Sequence, residues 1–199
     1  MLTRHGVSSL VIDALCGQAS EKNIAVAGFY FDFAAQKEQS PTAVLGVLLK
    51  QILYGLEEVP GEIVEVYRRQ KNLAGGRRPR LPELVKMLRI VSSSKCTFLC
   101  VDALDECMEK YQLGVLDSLQ MILQGSPSTR LFLTGRAHTG DAVWKHFHNR
   151  VRTASIGPKK GDIIYYLQAR LDQDTNPDAM DWGLLSRILS VIPDSASEM

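Results

Sequence analysis

The sequence has no long hydrophobic run, no excess of either charge and no paired cysteines, and each absence removes a class of protein. Its apolar stretches, of which Thr97–Val101 is typical, fall far short of the roughly 18 to 20 residues that span a bilayer. The opening Met1-Leu-Thr-Arg-His-Gly6 lacks the basic-then-apolar pattern of a leader, so a cytoplasmic protein without a membrane partner is the expectation. Lys and Arg total 23 against 22 Asp and Glu, and the formal charge of +1 gives no global field that would favour nucleic acid. The four cysteines, at 16, 96, 100 and 107, make neither a Cys-x-x-Cys pair nor a Cys/His zinc spacing, which points to reduced, packed thiols. What remains is 199 residues that are 45% hydrophobic, enough for one ordinary core.

The order of elements comes from apolar periodicity and its punctuation. Val7, Leu10, Val11, Ala14 and Leu15 share a helical stripe, and Ile24–Phe33 is apolar with little alternation, as a strand covered on both faces would be. Ser40-Pro41 supplies a cap and a first-turn proline for a helix through Val44, Leu45, Leu48, Leu49, Ile52 and Leu53. Helices are predicted over 60–71, 81–91, 113–123 and 142–147, and strands over 96–101, 130–134 and 151–156. Two further amphipathic helices begin at Lys160-Gly-Asp162 and at Asn176-Pro177. Strands alternating with helices specify a three-layer α/β parallel sheet, spanning residues 1–158, with the start of an α-helical region over 159–199.

In such sheets ligands sit beyond the carboxyl ends of the strands, which directs attention to the residues after 33, 101, 134 and 156. Asp102, Asp105 and Glu106 emerge together there. So much negative charge at a strand end calls for a cation, a donor set or water, and hydrated Mg2+ suits such a group. The alternative is that Asp102 caps the next turn while Asp105 and Glu106 are solvated. Arg136, at the end of the 130–134 strand, could bind phosphate oxygens with two parallel donors or pair with the Asp102 cluster.

A hydrophobic strand followed by Asp102-Ala-Leu-Asp-Glu106 resembles the Walker B motif of NACHT-type STAND NTPases. Phe29-Tyr-Phe-Asp-Phe33 is similar to that family's second strand, Ser40–Gln51 to the helix after it, Leu131-Phe-Leu-Thr-Gly-Arg136 to its sensor strand, and Asp162–Leu167 to the start of its helical region. The flavour is that of fungal NACHT proteins with nephrocystin-3-like N-terminal domains, in which ankyrin or WD-type repeats usually lie downstream. The resemblance implies a P-loop NTPase-like sheet and an ATP/ADP-controlled assembly switch that works through protein partners or self-association. It also implies roles: Asp102 for Mg2+, Asp105 or Glu106 in support of hydrolysis, and Arg136 as the sensor of the terminal phosphate.

No stretch reads Gly-x-x-x-x-Gly-Lys-Ser/Thr, the loop whose amides, lysine and hydroxyl hold phosphates and Mg2+. By the resemblance that loop and its strand would precede the first helix, so Walker A and the P-loop strand are expected to be missing. Counting back from Ser9 sets Arg4 at the lysine position and His5 at the hydroxyl position. Tight nucleotide binding is then not expected, and the alternative function is a non-catalytic interaction or scaffold remnant. The family places the missing strand between the 130–134 and 151–156 strands, so poor stability, or direct pairing of those two strands, is expected. The abrupt ends fit a truncated or degenerate copy.

Weaker signals are read as structural. The basic stretch Arg68–Arg80 has no aromatic platform for nucleic acid, and His146-Phe-His148 has a spacing that parts the two rings on a helix. Ser8, Ser9 and Ser126 have no nucleophile-elbow context.

Overall fold

The computed structural model describes residues 4–71, 78–147, 150–157, 159–173 and 181–197. The chain divides into two compact units, 2–152 and 153–199.

In the first unit α1 (Arg4–Lys22) leads into β1 (Ile24–Tyr30), then α2 (Pro41–Tyr54), α3 (Gly61–Lys71), α4 (Leu81–Ser93), β2 (Cys96–Asp102), α5 (Glu109–Gly125), β3 (Thr129–Leu133) and α6 (Ala137–Phe147). The three strands form a parallel sheet in the order β1-β2-β3, with Gly28 beside Cys100 and Leu99 beside Leu131. Such pairing needs crossovers, and helices supply them.

The pleat sends alternate side chains to opposite faces. Ala25, Ala27, Leu99 and Val101 join Val44, Leu45, Leu48, Leu88, Val91, Leu119 and Ile122 in one core, so α2, α4 and α5 cover that face. Gly28 and Asp102 turn toward α1. A Cβ on Gly28 would stand 3.0 Å from the Ile12 Cδ1 atom, so the absence of a side chain lets α1 lie close on the sheet. The stripe on α2 is the one its sequence pattern requires: Val44, Leu45, Leu48, Leu49 and Ile52 are buried, and the Ser40 hydroxyl accepts the Ala43 N–H at 3.3 Å ahead of Pro41.

Among the described residues β1 is an edge strand, and the side chain of Gln51 attends to that edge. The carboxamide of Gln51 on α2 accepts the Gly28 N–H at 2.7 Å and donates to the Gly28 carbonyl at 2.9 Å. At the other edge, β3 pairs with β2 alone among the described residues.

The predicted fourth strand, Val151–Ile156, is not a strand. Within it only Val151 is partly buried, residues 152–157 are exposed, and among the described residues no neighbouring strand supplies a ladder. The expected direct pairing of this segment with the 130–134 strand is therefore absent. Three helices are longer than the sequence pattern predicted, because their polar ends carry no apolar signal: α1, α5 and α6 begin before, or run past, their apolar stripes. The second unit holds α7 (Lys160–Leu171) and α8 (Trp182–Ser197), which pack on each other and carry an ion pair from Lys160 to Asp194 at 2.5 Å. Asn176-Pro177, predicted to open the last helix, lies outside the described residues. Among the described residues no helix is long and apolar enough to cross a membrane.

Candidate functional site

β2 is apolar until its last residue, and there the ladder ends on a carboxylate. Asp102 is 2% exposed, and its Oδ1 accepts hydrogen bonds from the hydroxyls of Ser8 on α1 and Thr134 just after β3. A buried carboxylate is tolerated when donors surround it, and here two hydroxyls from different elements do so. The next residue, Ala103, takes a left-handed φ of 54°, which turns the chain sharply away from the sheet. Thr134 holds that turn. Its Oγ1 accepts the Ala103 N–H at 3.0 Å, and its carbonyl accepts the Leu104 N–H at 2.9 Å.

The turn sends the other two carboxylates elsewhere. Asp105, whose side chain is 3% exposed, accepts the Arg136 backbone N–H at 3.1 Å through Oδ1 and pairs with the Arg136 Nε at 3.1 Å through Oδ2. Glu106 Oε2 accepts the Phe33 N–H at 3.1 Å, and its carbonyl accepts from the Gln36 side chain at 2.8 Å, which anchors the short turn after β1. Among the described residues no three His, Cys, Asp or Glu side chains converge as a metal-binding group.

The structure thus brings Asp102, Asp105, Glu106 and Arg136 to one end of the sheet but gives each carboxylate a separate partner. The ion pair of Arg136 is with Asp105, and Asp102 is answered by hydroxyls. Arg4 is the first residue of α1, and the side chains of Arg4 and His5 lie outside the described residues. The hydroxyl that meets Asp102 belongs to Ser8, three residues beyond His5. Sequence reasoning missed Ser8, counting back from Ser9 to Arg4 and His5 instead; what distinguishes Ser8 is its burial, 1% exposed, against Asp102.

Two oxygen donors, a serine hydroxyl and a carboxylate, stand together where Mg2+ could bind, and hard oxygens of this kind suit that ion alongside waters and phosphates. The donor set fits the metal. Arg136, 59% exposed at its side chain, brings a cation to this end of the sheet.

Elsewhere, Arg69 pairs with Glu65 at 3.1 Å along α3, and Gly75, Gly76 and Arg77 of the basic stretch lie outside the described residues. His146 Nε2 is 3.3 Å from Asp117 Oδ1 on α5, and His148 lies outside the described residues. Cys100 and Cys107 are buried, and burial pushes both thiols up to about 11.

The family model described as Nephrocystin 3, N-terminal, matches residues 6–136, an interval that opens on Gly6-Val7-Ser8 and closes on Arg136. No curated protein and no solved structure matches the chain.

Proposed function

Because the chain belongs to the nephrocystin 3 N-terminal family, we propose that it is an NTPase-related core of the NACHT/STAND kind, which holds Mg2+ and ATP or ADP without efficient turnover and whose output is protein assembly. The observation that carries this reading is the Ser8–Asp102 contact, a hydroxyl in the second turn of α1 joined to a buried carboxylate at the end of β2. Ser8 and Asp102 would hold the ion, which when bound supplies charge neutralisation at the phosphates. Asp102 has the role of the Walker B acid in this reading, and Arg136 that of the sensor. Asp105 and Glu106 already accept protein donors, which favours binding over hydrolysis. A nucleotide that prefers one arrangement of these elements shifts the population toward it, and partners or further copies of the chain read that shift. A cytoplasmic setting goes with this reading.

Titration of the chain with fluorescent ATP tests it. Saturable binding that needs Mg2+ and is abolished by Asp102→Ala is the expected result. Absence of binding with and without Mg2+ would support the second reading, an interaction module that takes no nucleotide. The observation favouring that reading is that no stretch of the sequence reads Gly-x-x-x-x-Gly-Lys-Ser/Thr.

A further inference from the structure

Asp105 lies where an acid in support of hydrolysis was expected, yet its contacts describe different work. Its carboxylate takes the backbone N–H of Arg136 on one oxygen and the Nε of the same residue on the other, both at 3.1 Å. One carboxylate therefore fixes both the main chain and the side chain of one arginine. The neighbourhood is shaped for this. A Cβ on Gly135 would stand 2.6 Å from Thr139 Oγ1 and 3.5 Å from Asp105 Oδ1, so only glycine lets the segment approach so closely. Thr139 closes the other side, its hydroxyl donating to the Arg136 carbonyl at 2.6 Å. The acid is 3% exposed and the arginine 59% exposed at their side chains. With Nε turned inward, the outer end of the guanidinium faces solvent at the carboxyl end of β3.

We infer that Asp105 is a positioning residue for Arg136: it holds the guanidinium with its terminal nitrogens outward, ready to receive the oxygens of a phosphate group. A fixed guanidinium loses less freedom on binding a planar pair of oxygens than a free one. The inference takes its ligand from the nucleotide reading above, while the pairing itself rests on geometry alone.

Isotope-edited NMR of the full chain, with Mg2+ and ATP as the probe, tests both parts. The Arg136 Nε–H should give a protected signal that Asp105→Asn removes while the rest of the spectrum keeps its dispersion. Asp105→Asn and Arg136→Gln should each weaken ATP binding about tenfold, the loss of one charge-assisted contact. The double variant should bind no more weakly than Arg136→Gln alone, because Asp105 acts through Arg136. Additive losses would overturn the positioning role, as would an Asp105→Asn chain that binds like the parent. If Asp105→Asn does not fold, Arg136→Lys keeps the charge without an Nε–H: a loss matching Arg136→Gln supports the role, and wild-type binding sinks it. A parent chain that takes up no ATP removes the nucleotide reading. In that case, a protected Nε–H that shifts with inorganic phosphate still supports the positioning role, and its failure to shift ends it.

Discussion

Ala103 combines a left-handed backbone with 2% exposure, two demands that few side chains meet together. A branched Cβ there collides with its own backbone and with the packed wall, so Ala103→Val should cost about 2 kcal/mol, read as a lower urea midpoint at unchanged slope. The cysteines divide in the same residue-by-residue way. Cys16 is exposed, while Cys100 and Cys107 are buried with thiols raised to about 11 from 9.0. A thiol-alkylating reagent at neutral pH should therefore label Cys16 first and leave Cys100 and Cys107 to react only on unfolding, which mass spectrometry of digests would resolve. The raised values also set a pH dependence. Well below pH 9 both folded and unfolded thiols are protonated and contribute no slope; as the pH rises through 9.0 toward about 11 the unfolded thiols ionise first, and stability should fall. Replacing Cys100 and Cys107 with alanine should flatten that decline.

Among the elements, α2 offers the clearest comparison of forces. The Ser40 cap contributes one hydrogen bond at the helix start, and Ser40→Ala should cost about 1 kcal/mol. Leu48, fully buried in the core, should cost about 3 kcal/mol as Leu48→Ala, so packing outranks capping. Equilibrium denaturation of the two variants checks the order. Both features were legible in the sequence, because a Ser-Pro cap and a full apolar stripe are local signals. β1, β2 and β3 were legible for the same reason, within one to three residues at their ends. The Val151–Ile156 segment was misread, since a strand exists only where a neighbour bonds to it, and nothing local in Val-Arg-Thr-Ala-Ser-Ile records that. The site was legible in part. Asp102 and Arg136 follow from their places at strand ends, whereas the separate partners of Asp105 and Glu106 depend on the left-handed turn at Ala103. Ser8 was hidden because nothing local marks it, and its contact with Asp102 depends on how α1 lies against the end of β2.

At the scale of the whole molecule, apolar burial is unevenly shared. The buried core runs from Ala25 to Phe147, and α7 contains no buried residue. Hydrogen exchange should accordingly be slowest in β2, which is paired on both sides, and fast across α7 and α8; equal protection would contradict this distribution of stability. The two margins of the sheet also differ. A carboxamide is chemically a peptide group carried on a side chain, and Gln51 presents one to Gly28 with donor and acceptor both in use. The helix thus offers β1 a one-residue imitation of a neighbouring strand, and the two Gly28 groups that would template a real one are already occupied. On the opposite margin β3 ends next to Thr134 and Arg136, and among the described residues no strand lies beside it.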